Sequence, residues 1–183
     1  MGIKSLGNKK SIKYAAVWDE TGRGAMKPYD PYAKPLSWCG DRGVWGGGYS
    51  LTNTLDYITI TTPGNATDFG NLNFPRYNAG SLSSGSRGCW ASGVGESDTI
   101  LNNIEYITIA NTGNASNFGE LLGAEGRSAN AGVSNGTRGC FGGGYKDTYK
   151  NIIDYITIAN TGNATDFGDL LESRAYIACS SGT

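Results

Sequence analysis

The stretch Asp56-Tyr57-Ile58-Thr59-Ile60, followed by Gly64-Asn65-Ala66-Thr67-Asp68-Phe69-Gly70, decides the fold, because the chain writes it three times. Glu105-Tyr106-Ile107-Thr108-Ile109 leads into Gly113-Asn114-Ala115-Ser116-Asn117-Phe118-Gly119. Asp154-Tyr155-Ile156-Thr157-Ile158 leads into Gly162-Asn163-Ala164-Thr165-Asp166-Phe167-Gly168. The tyrosines (57, 106, 155) and the asparagines (65, 114, 163) recur every 49 residues. A fixed period near fifty, strand-like and rich in glycine, predicts the blades of a β-propeller.

Each repeat divides into four strands. Strand a is small and polar and opens at Arg76, Arg127 and Arg174. Strand b opens at Arg42, Arg87 and Arg138, as in Arg42-Gly43-Val44-Trp45-Gly46-Gly47-Gly48-Tyr49. Strand c is the Tyr-Ile-Thr-Ile run, β-branched and aromatic as strands prefer. Strand d is short and carries Phe69, Phe118 or Phe167. In strand c, Ile58 and Ile60 point one way and Tyr57 and Thr59 the other. Both faces are therefore apolar or amphipathic, which suits a blade covered on each side by a neighbour. The Gly-Asn-Ala link between c and d is a turn, since Gly and Asn tolerate positive φ.

Composition agrees with an all-β domain of many tight turns: 29 of 183 residues are glycine. The net charge of −1 is unevenly divided, about +3 over residues 1–41 and −4 over 42–183. A basic arm on an acidic body points to docking on something else. No stretch approaches the roughly 18 apolar residues of a membrane helix, and the start lacks the apolar run of a signal peptide. Cys89 and Cys140 share one repeat position with Val44, so the slot is a buried apolar one. Equivalent positions on neighbouring blades lie too far apart for a disulfide.

The apolar strand ending in Gly46-Gly47-Gly48 or Gly142-Gly143-Gly144, with a tyrosine about ten residues on, resembles the kelch repeat over residues 42–183. The fuller wording, Arg-Gly-Val/Cys-aromatic-Gly-Gly-Gly-Tyr and then Asp-Tyr-Ile-Thr-Ile-Ala-Asn-Thr-Gly-Asn-Ala-Thr-Asp-Phe-Gly-Asp-Leu, looks like repeats in structural proteins of tailed bacteriophages. That resemblance implies a virion component, often a fibre or appendage, assembled in the host cytoplasm.

Blades are expected at about 42–74, 75–123 and 124–171, with a closing strand at 172–183. The frame runs b-c-d, a-b-c-d, a-b-c-d, a. Propellers have four to eight blades, and an open arc leaves strand edges and apolar faces unpaired. The expected remedy is a homodimer closing a six-bladed ring, each last strand a completing the other chain's first blade. A trimer and a three-sided prism are the alternatives.

The arm, 1–41, combines Lys9, Lys10 and Lys13 with Trp18, Tyr29, Tyr32 and Trp38, and prolines at 28, 31 and 35. It reads as an extended segment whose aromatics anchor on a partner; the phage resemblance implies that the partners are other virion proteins. The alternative is an arm folded back on its own propeller.

Without histidine, Ser-His-Asp and Cys-His catalysis and the usual metal triads are excluded. Asp154 and Asp166 recur with the repeat, so a structural role in turns is expected of them rather than acid/base work. The Asn-x-Ser/Thr triplets read as turns, and EF-hand spacing is absent. The glycine runs lack the Lys-Ser/Thr of a phosphate loop. The repeated Arg42, Arg87 and Arg138 are expected to bind backbone carbonyls or the carboxylates of strand c. These exclusions predict a non-enzymatic protein with no cofactor, no membrane and no specific nucleic acid, and the resemblance implies a structural component of a phage particle. The alternative is a host-receptor or glycan-binding module using Trp45, Tyr49, Trp90, Phe141 and Tyr145.

Overall fold

The structure, a computed structural model, describes residues 14–18, 24–28, 40–123 and 126–181. The chain forms two units, Met1–Ser37 and Trp38–Thr183. In the first, β1 (Tyr14–Trp18) pairs antiparallel with β2 (Gly24–Pro28), Tyr14 opposite Pro28 and Trp18 opposite Gly24. Where the sequence predicts a plain extended arm, this part of it satisfies its backbone on itself as a two-stranded ribbon.

The second unit is all-β. Its first sheet has the order β3 (Arg42–Gly46), β4 (Thr54–Thr59), β5 (Thr67–Asn71). The second sheet is β6 (Gly80–Ser83), β7 (Arg87–Ala91), β8 (Asn103–Thr108), β9 (Ser116–Glu120). The third begins with β10 (Ala131–Ser134) and β11 (Arg138–Gly142). A small ribbon of β12 (Tyr145–Lys146) and β13 (Thr148–Tyr149) follows, before β14 (Ile152–Thr157) and β15 (Thr165–Asp169) complete the sheet. All pairings are antiparallel. The sole helical turn among the described residues is a short 3-10 segment, Glu96–Asp98.

The repeat wording therefore becomes strands where the sequence expects them, with one exception. Residues 172–181 form no ladder, although the sequence predicts a closing strand there. Among the described residues the strand that it would join, β3, pairs with β4 alone.

The central strands β4, β8 and β14 each shift register at one place, Leu55/Asp56, Ile104/Glu105 and Ile153/Asp154. Such a bulge bends the strand and re-aims a side chain. Each time the residue just after it is the carboxylate.

The sheets stack face on face. Leu55, Phe69 and Leu72 of the first sheet are buried against Trp90, Ile107 and Ala115 of the second. Leu82, Cys89, Ile104, Phe118 and Leu121 of the second meet Phe141, Ile156, Ile158 and Ala164 of the third. Each large apolar side chain in these seams contributes about 1.5–3 kcal/mol relative to exposure. The core is thus two copies of one seam, as a repeated sequence requires.

Candidate functional site

The repeated polar residues hold one sheet to the next. Arg42 Nη1 donates to the carbonyls of Ile109 and Ala110, both at 2.9 Å. Arg87 Nη1 donates to Ile158 and Ala159, at 2.9 and 2.8 Å. Each guanidinium also lies over its own sheet's tyrosine, Arg42 on Tyr57 at 4.8 Å and Arg87 on Tyr106 at 4.4 Å. Arg138 sits over Tyr155 at 4.5 Å in the same way, but is exposed and has no carbonyl acceptor among the described residues.

A second device uses the arginines that open strand a, whose role sequence reasoning missed. The backbone of Arg76 belongs to the first sheet, its carbonyl accepting from Gly48 N–H at 2.9 Å. Its side chain crosses the seam to the buried Glu105 carboxylate and to the Ser92 carbonyl. Glu105 also accepts from Asn73 N–H at 2.7 Å. Burial lowers the Arg76 pKa, and the Glu105 charge and hydrogen bond oppose that shift. Arg127 repeats the arrangement one sheet on. It reaches Asp154 at 2.8 Å and the carbonyls of Gly143 and Phe141 at 2.6 and 3.0 Å, while Leu122 N–H donates to Asp154 at 3.3 Å. The structural role expected of Asp154 holds, but in a buried cross-seam pair rather than a turn. The recurrence of arginine before strand a was the available signal.

The third device is the Gly-Asn-Ala turn. Gly113 and Ala115 N–H donate to Phe69 and Asn71 carbonyls, at 2.7 and 2.8 Å, and Asn114 Oδ1 accepts from Asn71 N–H at 3.0 Å. Gly162, Ala164 and Asn163 clasp Phe118 and Glu120 in the same manner. Asn65, in the first such turn, is exposed and unused.

Burial runs in opposite gradients along the stack. On the face that meets the preceding sheet, Trp45 is 57% exposed where Trp90 and Phe141 are 6% and 0%. On the face that meets the following sheet, Phe167 is 52% exposed where Phe69 and Phe118 are 2% and 3%. Trp90 and Phe141 therefore do not face a ligand, against the sequence expectation; neighbouring sheets cover them. Tyr49 and Tyr145 are exposed, each edge-on to another tyrosine, Tyr77 at 5.2 Å and Tyr149 at 5.5 Å. Lys9, Lys10, Lys13, Tyr29, Tyr32 and Trp38 lie outside the described residues, and of Trp18 only the backbone is described.

Among the described residues no three His, Cys, Asp or Glu side chains converge as metal ligands would. No described helix is long and apolar enough to cross a membrane. Two open grooves, of about 330 and 210 Å³, flank the strand β3; Val44 lines both, with Ser83 in the larger and Arg76 in the smaller.

No protein-family model matches the sequence, and no curated protein does. Solved structures do match, 108 chains in all. Among them is the structure of YjhT, with a TM-score of 0.58 at 12% identity over 73% of this chain. This chain spans about half of that one, 49% of its length. At that identity the likeness shows an all-β fold of this kind and nothing about activity.

Proposed function

We propose that residues 42–183 form three blades of a kelch-like propeller, and that the protein is a non-enzymatic structural component of a phage particle. One observation carries the structural reading. The polar groups the repeat specifies, Arg42, Arg87, Arg76 with Glu105, Arg127 with Asp154, Asn114 and Asn163, are engaged in joining sheets. A repeat whose chemistry goes into stacking builds a rigid body. The phage assignment rests on the wording of the repeat, and the basic, aromatic residues 1–41 are the proposed tether to other virion proteins.

The test removes residues 1–37, because Asp41 is part of the first sheet's hydrogen bonding: its carbonyl accepts from Ile60 and its carboxylate from Thr61. The full chain is expected to copurify with particles and the shortened chain to stay in the soluble fraction. Equal incorporation of both overturns the tether.

The exposed tyrosines Tyr49 and Tyr145 favour a second reading, recognition of host glycan. Binding on a glycan array that is lost in Tyr49→Ala and Tyr145→Ala supports it, and an array without binding removes it.

A further inference from the structure

We propose that the outer face of the third sheet docks, head to tail, on the outer face of the first sheet of a second copy, two such seams closing a two-copy ring. Three joining devices are each used twice inside the chain, and each is left open a third time with its halves at opposite ends of the stack.

The arginine series comes first. Arg76 and Arg127 cross to Glu105 and Asp154 of the following sheet. Arg174 is anchored as they are, its carbonyl accepting from Gly144 N–H at 2.8 Å, yet its side chain is half exposed and among the described residues reaches only Glu172, at 3.9 Å. The open carboxylate at the other end is Asp56, which follows the same bulge as Glu105 and Asp154 and is exposed without a partner among the described residues. By the same step, Leu171 N–H takes the place of Asn73 and Leu122 as donor to Asp56. Leu171 is fully exposed.

The strand b arginines give the second pair. Arg138 lacks the two carbonyls that Arg42 and Arg87 find, and the equivalent carbonyls are those of Ile60 and Thr61. Ile60 is 61% exposed where Ile158, its counterpart in the covered third sheet, is 1%.

The turn clasp gives the third. A Cβ on Gly70 would meet Gly113 O at 2.5 Å, and one on Gly119 would meet Gly162 O at 2.2 Å. A Cβ on Gly168 would meet nothing within 4 Å. A Gly64-Asn65-Ala66 turn seated on 167–169 fills that space, Asn65 accepting from Asp169 N–H.

The inner edge closes as well. Tyr176 N–H donates to Ala129 O at 2.9 Å, just as Ala129 N–H donates to Asn78 O at 2.7 Å. The run 177–181 therefore lies beyond β10 as β10 lies beyond β6. In the ring it reaches the free edge of the second copy's β3, where the grooves beside Val44 await a strand. Such edges are otherwise open templates for pairing. The paired seams are related by a two-fold axis, the commonest oligomer symmetry. This inference deepens the building-block reading by naming its partner; its readouts, mass and exchange, do not depend on a particle.

The experiment uses the full chain. Wild-type protein is expected at twice the 19.2 kDa chain mass by light scattering. Asp56→Arg and Arg174→Asp each bury two like charges opposite one another in both seams, and each alone weakens assembly more than roughly a hundredfold. Mixed in equal amounts, the two variants regain the two-copy mass, since one seam is then native and the other charge-reversed. Both residues are exposed in the single chain, and circular dichroism checks that each variant is folded. A measurement on wild type needs no variant: the amides of Gly64, Ala66 and Asp169 exchange slowly at high concentration, as Gly113, Ala115 and Glu120 do, and quickly on dilution. A wild-type mass of one copy or of three, variants that assemble like wild type, a mixture that stays as single copies, or fast exchange at the three amides in concentrated protein each overturns the proposal.

Discussion

Ser92 stands where the other sheets have Gly47 and Gly143, and it keeps their left-handed backbone, φ 58° against 74° and 66°. A residue with a Cβ is strained there by about 1–2 kcal/mol, and the buried Ser92 hydroxyl has no hydrogen-bond partner. Ser92→Gly is therefore expected to stabilise the protein by about 1 kcal/mol after the extra entropy of glycine is counted. A higher urea midpoint with an unchanged slope is the expected observation; a lower midpoint refutes it. Cys89 makes a second prediction at this scale. Burial pushes its thiol up to about 12, outweighing the opposite pull of Arg87. The thiolate is the reactive form, so iodoacetamide at pH 8 should spare Cys89 in the folded protein and modify it in urea, while Cys179, exposed in the single chain, reacts before Cys89. The sign for stability follows: with the folded pKa raised, the unfolded thiol loses its proton first, and stability falls as pH climbs from 9 towards about 12. The apolar slot of Cys89 was legible in the sequence because Val44 shares it. The strain at Ser92 was not, since backbone φ is set by the close approach of neighbouring chain and leaves no mark in composition.

Among the strands, equivalent glycines separate backbone strain from contact. Gly119 and Gly168 both have positive φ, 157° and 134°. An added methyl strains either, but at 119 it also strikes Gly162 O, whereas at 168 it meets open space in the single chain. Gly119→Ala should cost about 1–3 kcal/mol more than Gly168→Ala in urea titrations of dilute protein, the usual range for overpacking. Equal losses would show that φ alone sets the cost. Strand identity was readable because Tyr-Ile-Thr-Ile alternates and Gly-Asn-Ala turns. Which aromatics are covered was not, because Trp45, Trp90 and Phe141 fill one repeat position and differ only in whether a sheet precedes them. The cross-seam arginines were hidden for a related reason. Arg76 and Glu105 are 29 residues apart, and the bulge that aims the carboxylate has no sequence signal of its own.

At the scale of the whole molecule, two covered seams lie between two uncovered faces, and the uncovered residues are the ones the seams use. Trp45 and Ile60 at one end and Phe167 at the other expose apolar surface that the equivalent interior positions cover. If a second copy covers both faces, folding and assembly are linked, and stability depends on concentration by mass action. For a two-copy equilibrium, a hundredfold rise in concentration is worth roughly 2.7 kcal/mol shared between two chains. In a domain of this size each kcal/mol moves the melting temperature by about 2–4 °C. Calorimetry across that range should therefore show wild-type Tm rising by about 3–5 °C. Asp56→Arg should melt at one temperature throughout, close to that of the most dilute wild type, because its carboxylate is exposed in the single chain and its loss removes only the seam. A wild-type Tm that does not move with concentration would mean that the two faces are stable in water as they stand, and that the symmetry of the open devices has no thermodynamic consequence.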